Sequence, residues 1–269
     1  MLLSCDSNDN IADVNEPSSF LFEDGFETQN NQFNELFPTN GNRWTTIQQD
    51  NPTNATNEIE LSTTQFSEGQ NSLRLLANPS DNSLSKMNIE KGGFSAFKDD
   101  TITISADFYV AGTASLENVL LIDLECCSCW DPDVLATFGV ENQCPGIRLM
   151  MAGGNDFLSI ERGKISGTTI EQTSVTFPRD QWVNVKWEMT LSDETNGSNL
   201  LYINGNEVIN EPGMNMPNAQ IFSDAFLNQG IDFTLQEPTF YERMQIGVTA
   251  NPTAGAIELF VDNVSVNVQ

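Results

Sequence analysis

The chain reads as an all-β protein, a sandwich of two antiparallel sheets, and three observations predict it. Val183, Val185, Trp187, Met189 and Leu191 alternate with Asn184, Lys186, Glu188 and Thr190, the period of two that a strand with one buried face requires. Asn204-Gly205 separates Leu201 and Ile203 from Val208, and that pair suits a type I′ hairpin because both central positions take positive φ. Short runs of strand character recur along the rest of the chain, with no amphipathic helix of any length between them.

The expected strands follow in order. Phe20 to Thr28 opens the series, and Ser72 to Leu76, Thr101 to Val110 and Val119 to Glu125 come next. Ile147 to Met151, Phe157 to Ile160, the Trp182 to Leu191 run, Met244 to Ala250 and Ala256 to Val266 complete it. Each has strand length with β-branched or alternating apolar residues. Turn signals lie between them at Glu68-Gly69-Gln70-Asn71, Gly92-Gly93, Gly153-Gly154-Asn155-Asp156 and Asn251-Pro252. The segment 211–238, with Pro212, Pro217 and Pro238, reads as a long ordered loop over one mouth of the sandwich. Roughly 250 residues fit one all-β sandwich. The expected organisation is an acidic, flexible tether over 1–19 and one domain over 20–269.

Charge narrows the function classes. The chain carries 11 Lys and Arg against 38 Asp and Glu, no histidine, and a formal net charge of −27. Such a field repels nucleic acid, anionic lipid surfaces and polyanionic glycans. No run approaches the ~18 apolar residues of a membrane span. Four of the five cysteines cluster as Cys126, Cys127, Cys129 and Cys144. In an exported chain they imply two disulfides, with three pairings open. Adjacent Cys126 and Cys127 point to opposite sides of an extended chain and so favour different partners, stapling a loop from about Cys126 to Cys144.

Several motifs resemble known families. Trp182 to Trp187, followed by Leu201-Tyr202-Ile203-Asn204-Gly205-Asn206-Glu207-Val208, resembles the laminin-G-like and concanavalin A-like jelly rolls. Those include lectins, glucanases and polysaccharide lyases. Phe22-Glu23-Asp24-Gly25-Phe26-Glu27 resembles the opening strand of secreted bacterial sugar-binding and lyase domains, and Phe260-Val261-Asp262-Asn263-Val264-Ser265-Val266 resembles their closing strand. The resemblance implies a concanavalin A-like jelly roll whose first and last strands pair in one sheet, a complete domain. It also implies structural Ca²⁺ where those strands meet, with Glu23, Asp24, Glu27 and Asp262 as oxygen ligands. Met1-Leu2-Leu3-Ser4-Cys5 resembles the end of a lipobox, which implies a lipid on Cys5 and an extracellular, surface-anchored protein.

The site candidates follow from the same strands. Asp123 and Glu125 occupy the second and third acidic positions of a strand similar to that of laminarinase-type glucanases, with Leu121 where those enzymes carry the nucleophile. That departure removes the retaining mechanism. Tyr241, Arg243 and Gln245 share one face at period two and would make a sugar platform. Without histidine, a lyase would need a tyrosine as its base. Trp44 and Trp130 sit in polar or turn-rich surroundings and are read as exposed contacts. The expected function is carbohydrate binding on the concave face at a cell surface, with no catalytic residue assigned. A polysaccharide lyase or glycoside hydrolase is the first alternative, and a non-catalytic adhesion or structural domain the second.

Overall fold

The computed structural model describes residues 19–50, 57–79, 86–116, 119–129, 145–152, 154–162, 169–228, 230–250 and 255–269. Cys5, Trp130 and Cys144 lie outside the described residues. The strands are β1 (Phe20–Asp24), β2 (Thr46–Asp50), β3 (Glu58–Ser62), β4 (Ser72–Ala77) and β5 (Lys86–Lys91). They continue with β6 (Thr101–Val110), β7 (Val119–Glu125), β8 (Gly146–Ala152), β9 (Phe157–Arg162) and β10 (Thr169–Thr176). The last five are β11 (Trp182–Thr190), β12 (Ser198–Ile203), β13 (Asn206–Pro212), β14 (Arg243–Ala250) and β15 (Ile257–Val268).

These strands form two antiparallel sheets. The first runs β13-β12-β11-β6-β15-β4-β3, with β1 also on β15, and the second runs β10-β9-β8-β7-β14-β5-β2. The twelve-residue β15 pairs with β6 along one edge and serves two partners along the other: its first half pairs with β4, and its second half with β1, in the register Phe20 to Val268. The expected pairing of the first and last strands is therefore present. In β11, Val183, Val185, Trp187 and Met189 are buried while the intervening residues are partly exposed, so the alternation read from the sequence is the core face of this strand. Asn204 at φ 49° and Gly205 at φ 75° make the tight turn between β12 and β13, the geometry in which Gly has no Cβ to clash.

One helix corrects the expectation of an uninterrupted loop. Residues Ala219–Leu227 form α1 inside the segment 211–238. Asn218 caps it, its Oδ1 accepting from Ile221 N at 3.0 Å, and Phe222 and Phe226, one turn apart, are buried beneath it. An N-cap and an i, i+4 aromatic pair suffice for so short a helix once tertiary packing takes over the cost of nucleation.

The core fills the space between the sheets. Ile89, Ile122, Leu124, Ile147, Leu149, Ile160, Met244 and Ile246 come from the second sheet, and Leu73, Leu75, Ile104, Phe108, Val185, Trp187, Leu259 and Val261 from the first. Because strand side chains alternate, the residues between those of the second sheet point away from the core. That outward face carries the polar groups considered next.

Candidate functional site

Strand register sets a row of polar side chains across the second sheet. Thr46 of β2 stands opposite Glu90 of β5, and Glu90 opposite Gln245 of β14. Gln245 faces Asp123 of β7, Asp123 faces Arg148 of β8, and Arg148 faces Glu161 of β9. Gln48, Asn88, Glu125, Ser159 and Arg243 lie two residues away on the same faces of their strands.

Hydrogen bonds tie the row together. Gln245 Nε2 donates to Glu90 Oε1 at 2.9 Å and to Glu125 Oε2 at 3.1 Å, so one amide nitrogen bridges two carboxylates. Gln48 Nε2 donates to the same Glu90 oxygen at 2.7 Å, and Asn88 Nδ2 to Gln48 Oε1 at 3.3 Å. Arg148 Nε pairs with Asp123 Oδ2 at 2.9 Å, and Arg243 Nη1 stands 3.8 Å from Glu90 Oε1. Glu90, Asp123, Glu125, Arg148 and Gln245 are all buried, whereas Thr46, Gln48, Glu161 and Arg243 are partly exposed. Buried charge persists where it is paired and hydrogen-bonded. The inner members therefore fix the geometry, and the outer ones meet solvent.

Asp123, Glu125, Arg243 and Gln245, each expected in a site, come together here. Tyr241 does not join them. It is 1% exposed, pairs through its backbone with Ala96, and donates its hydroxyl to Asn215 O at 2.6 Å. Burial raises its phenol well above the ordinary value, with Asp123 adding to the effect. The reason is local: β14 starts at Arg243, so the alternation that placed Tyr241 beside Arg243 does not extend back to it. Trp44 is likewise no surface contact. It is buried, stacked on Phe26 and edge-on to Phe22, and seals the end of β1.

The acids where β1 meets β15 are engaged by N–H and guanidinium donors. Asp24 gives both oxygens to Arg43 and accepts from Phe26 N at 2.7 Å. Asp262 accepts from Ser67 N at 2.9 Å, Glu68 N at 3.1 Å and Asn263 N at 2.8 Å. Glu27 Oε1 accepts from Gln70 N and Asn71 N at 2.6 and 2.9 Å, and Glu23 points to solvent. Calcium takes six to eight oxygens, and Asp24, Glu27 and Asp262 already accept from these donors. Among the described residues, no group of three or more His, Cys, Asp or Glu is placed to hold a metal.

Cys126 and Cys129 form a disulfide with Cα atoms 5.5 Å apart. This staple closes the turn directly after β7, and the expected cross-link reaching Cys144 lies outside the described residues. Cys127 Sγ lies 3.8 Å from Glu125 Oε2. Sequence reasoning missed Gln48, Asn88, Glu90 and Arg148. Met87-Asn88-Ile89-Glu90 does alternate, and Arg148 is the lone charge in an apolar run, so both signals were present.

No family model matches the chain, and no curated protein matches it. Solved structures do. An endo-β-1,4-glucuronan lyase from the fungus Trichoderma reesei superposes with a TM-score of 0.56 at 11% identity, covering 83% of this chain and 90% of that one. The cellulose-induced protein Cip1 gives 0.53 at 14% identity, with 91% and 96% covered. The alginate lyase Aly36B gives 0.53 at 11%, with 93% and 96% covered. The fold is a concanavalin A-like jelly roll. At these identities the likeness is one of architecture, and activity has to be argued from the site. In this jelly roll the site with converging polar groups is the outward face of the second sheet.

Proposed function

We propose that the chain binds a polysaccharide of neutral or weakly charged sugars along the polar row of the second sheet, and does not cleave it. The observation that carries this reading is the row itself: amides, carboxylates and guanidinium groups laid across six neighbouring strands, its inner members fixed by their own hydrogen bonds. Arrays of preset donors and acceptors suit hydroxyl-rich ligands. The outer members Thr46, Gln48, Glu161 and Arg243 would touch sugar, and the buried ones would position them. That two of the superposed structures are polysaccharide lyases supports the ligand class.

Three features favour binding over turnover. The chain has no histidine, and the Tyr241 hydroxyl is spent on Asn215. Tyr109 packs edge-on against Trp182 and Phe260 on the first sheet, and Tyr202 lies under Lys186 there, both far in the fold from the row. Glu90 and Glu125 make an acidic pair, but Gln245 fills the gap that a glycosidic bond would have to enter. The net charge of −27 disfavours polyanionic chains. The Cys126–Cys129 disulfide fits an oxidising compartment. Surface anchoring through a lipid on Cys5 belongs to the same proposal.

Calorimetry against cello-, xylo- and manno-oligosaccharides, run beside assays for new reducing ends and unsaturated products, tests this reading. Binding without product is expected, and Gln48→Ala and Arg243→Ala should each weaken it by on the order of 1 kcal/mol. Product formation, or undiminished affinity in both variants, would contradict it.

A further inference from the structure

A strip of aromatic rings crosses the outer face of the first sheet, and register sets it. Trp182 of β11 stands opposite Tyr109 of β6, Tyr109 opposite Phe260 of β15, Phe260 opposite Arg74 of β4, and Arg74 opposite Glu60 of β3. Their neighbours along each strand face the core, so alternation turns this row outward. Tyr109 meets Trp182 and Phe260 edge-on, its centroid 5.8 Å from each, and Tyr109 and Trp182 are partly exposed. Four strand steps make the strip about 19 Å long.

The charges at its end do not balance. Arg74 donates from Nε to Glu258 at 2.6 Å and from Nη1 to Glu58 and Glu60 at 3.0 and 2.8 Å. Three carboxylates share one guanidinium, which leaves two negative charges uncompensated. Their side chains are 37%, 50% and 58% exposed for Glu258, Glu58 and Glu60, so a partner can reach them. Beside Tyr109, Asp107 accepts from Ser67, Asn184 and Asn263, all neutral donors. Like charges gathered on one face repel one another, and a cation that reaches them lowers that cost.

Charge and rings together select the occupant. At −27 a second copy of the chain is repelled, as is any polyanion. A neutral sugar would leave the excess charge as it stands. A guanidinium answers both features, since its plane stacks on aromatic rings and its fork matches carboxylates. An ammonium is more strongly hydrated and makes no fork.

We infer that this face docks an extended, arginine-bearing segment of a partner protein, with guanidinium groups over Tyr109 and Trp182 and against Glu58, Glu60 and Glu258. About six residues of extended chain cover the strip.

Calorimetry at physiological ionic strength compares an octapeptide alternating arginine with serine and one alternating lysine with serine, which carry equal charge. The arginine peptide should bind about fivefold tighter or more, the factor that one ring–guanidinium contact of about 1 kcal/mol supplies. Glu58→Gln combined with Glu60→Gln and Glu258→Gln should weaken it about fivefold or more. Removing three exposed acids of the 211–238 segment, Asp224→Asn with Asp232→Asn and Glu237→Gln, should leave it nearly unchanged. Tyr109→Leu should erase the preference for arginine and spare lysine binding. In the unaltered chain, the side-chain amide signal of Asn184 should move with the arginine peptide while those of Gln48 and Asn88 hold, a readout that depends on no variant folding. Equal affinity for the two peptides, or equal loss in the two triple variants, would reduce the binding to attraction between a polycation and an acidic chain and overturn the inference. Absence of binding, or shifts on the second sheet with Asn184 unmoved, overturns it as well, and each of these results leaves the polysaccharide reading standing.

Discussion

One amide nitrogen, Nε2 of Gln245, bridges the carboxylates of Glu90 and Glu125, and on the proposed reading it is this residue that keeps them from acting as a hydrolytic pair. Other acids on this chain are likewise satisfied by N–H donors. Asp24 is buried against Arg43. Arg43→Ala would leave that charge without its partner, so a loss of about 3 kcal/mol in urea denaturation is expected, while EDTA should leave the melting temperature unmoved. A drop with EDTA would restore the calcium cage. Asp262 offers a test with pH. Burial holds its carboxyl above the ordinary aspartate range, against the pull of the Glu68, Ser67 and Asn263 amides, and Asp107 pushes it further up. The folded chain therefore keeps this proton to higher pH than the unfolded chain. Its contribution to stability is fully present below the unfolded value, near pH 4, and is lost as pH rises through the folded one. Urea curves from pH 4 to 7 should show wild type losing stability relative to Asp262→Asn as pH rises. Parallel curves would mean that Asp262 is not perturbed.

At the level of elements, α1 stands at one end of the polar row, where Ile221 and Phe222 lie near Gly146, the partner of Glu125. Asn218 caps α1 and also donates from Nδ2 to Asp193 O at 3.0 Å, tying the helix to the loop after β11. Asn218→Ala should cost about 1 kcal/mol or slightly more, since it removes both a cap and a tether. Thermal denaturation would check it, and an unchanged transition would mean the helix is held by Phe222 and Phe226 alone. The strands were far more legible than this helix. Period-two alternation in β6, β7, β11 and β15 is written in the residues because each has one face in the core, and Asn204-Gly205 fixes a turn by backbone conformation alone. Asp123, Glu125, Arg243 and Gln245 were found by the same alternation. Tyr241 was misplaced because a strand boundary, which tertiary pairing with Ala96 decides, leaves no mark in the sequence. Arg148 and Glu90 went unread because their partners sit 25 and 155 residues away along the chain. Trp44 was misjudged because polar neighbours in sequence do not reveal that Phe22 and Phe26 close over it.

For the molecule as a whole, the two sheets divide the work. The first carries β1, the hairpin of β12 and β13, and the Arg74 cluster with Glu58, Glu60 and Glu258 on its outer face. The second gathers buried charges that a purely structural sheet would gain little from keeping, since such pairs seldom stabilise more than well-packed apolar residues. Their retention on β5, β7 and β8 is what points to a ligand. The most direct test is a nuclear magnetic resonance titration that follows side-chain amide signals as a xylo- or cello-oligosaccharide is added. The signals of Gln48, Asn88 and Gln245 on the second sheet should shift with saturating dependence on ligand. That of Asn184, hydrogen-bonded to Asp107 on the outer face of the first sheet, should stay in place. Movement of Asn184 with the other three unmoved would put the sugar on the wrong sheet and contradict the account.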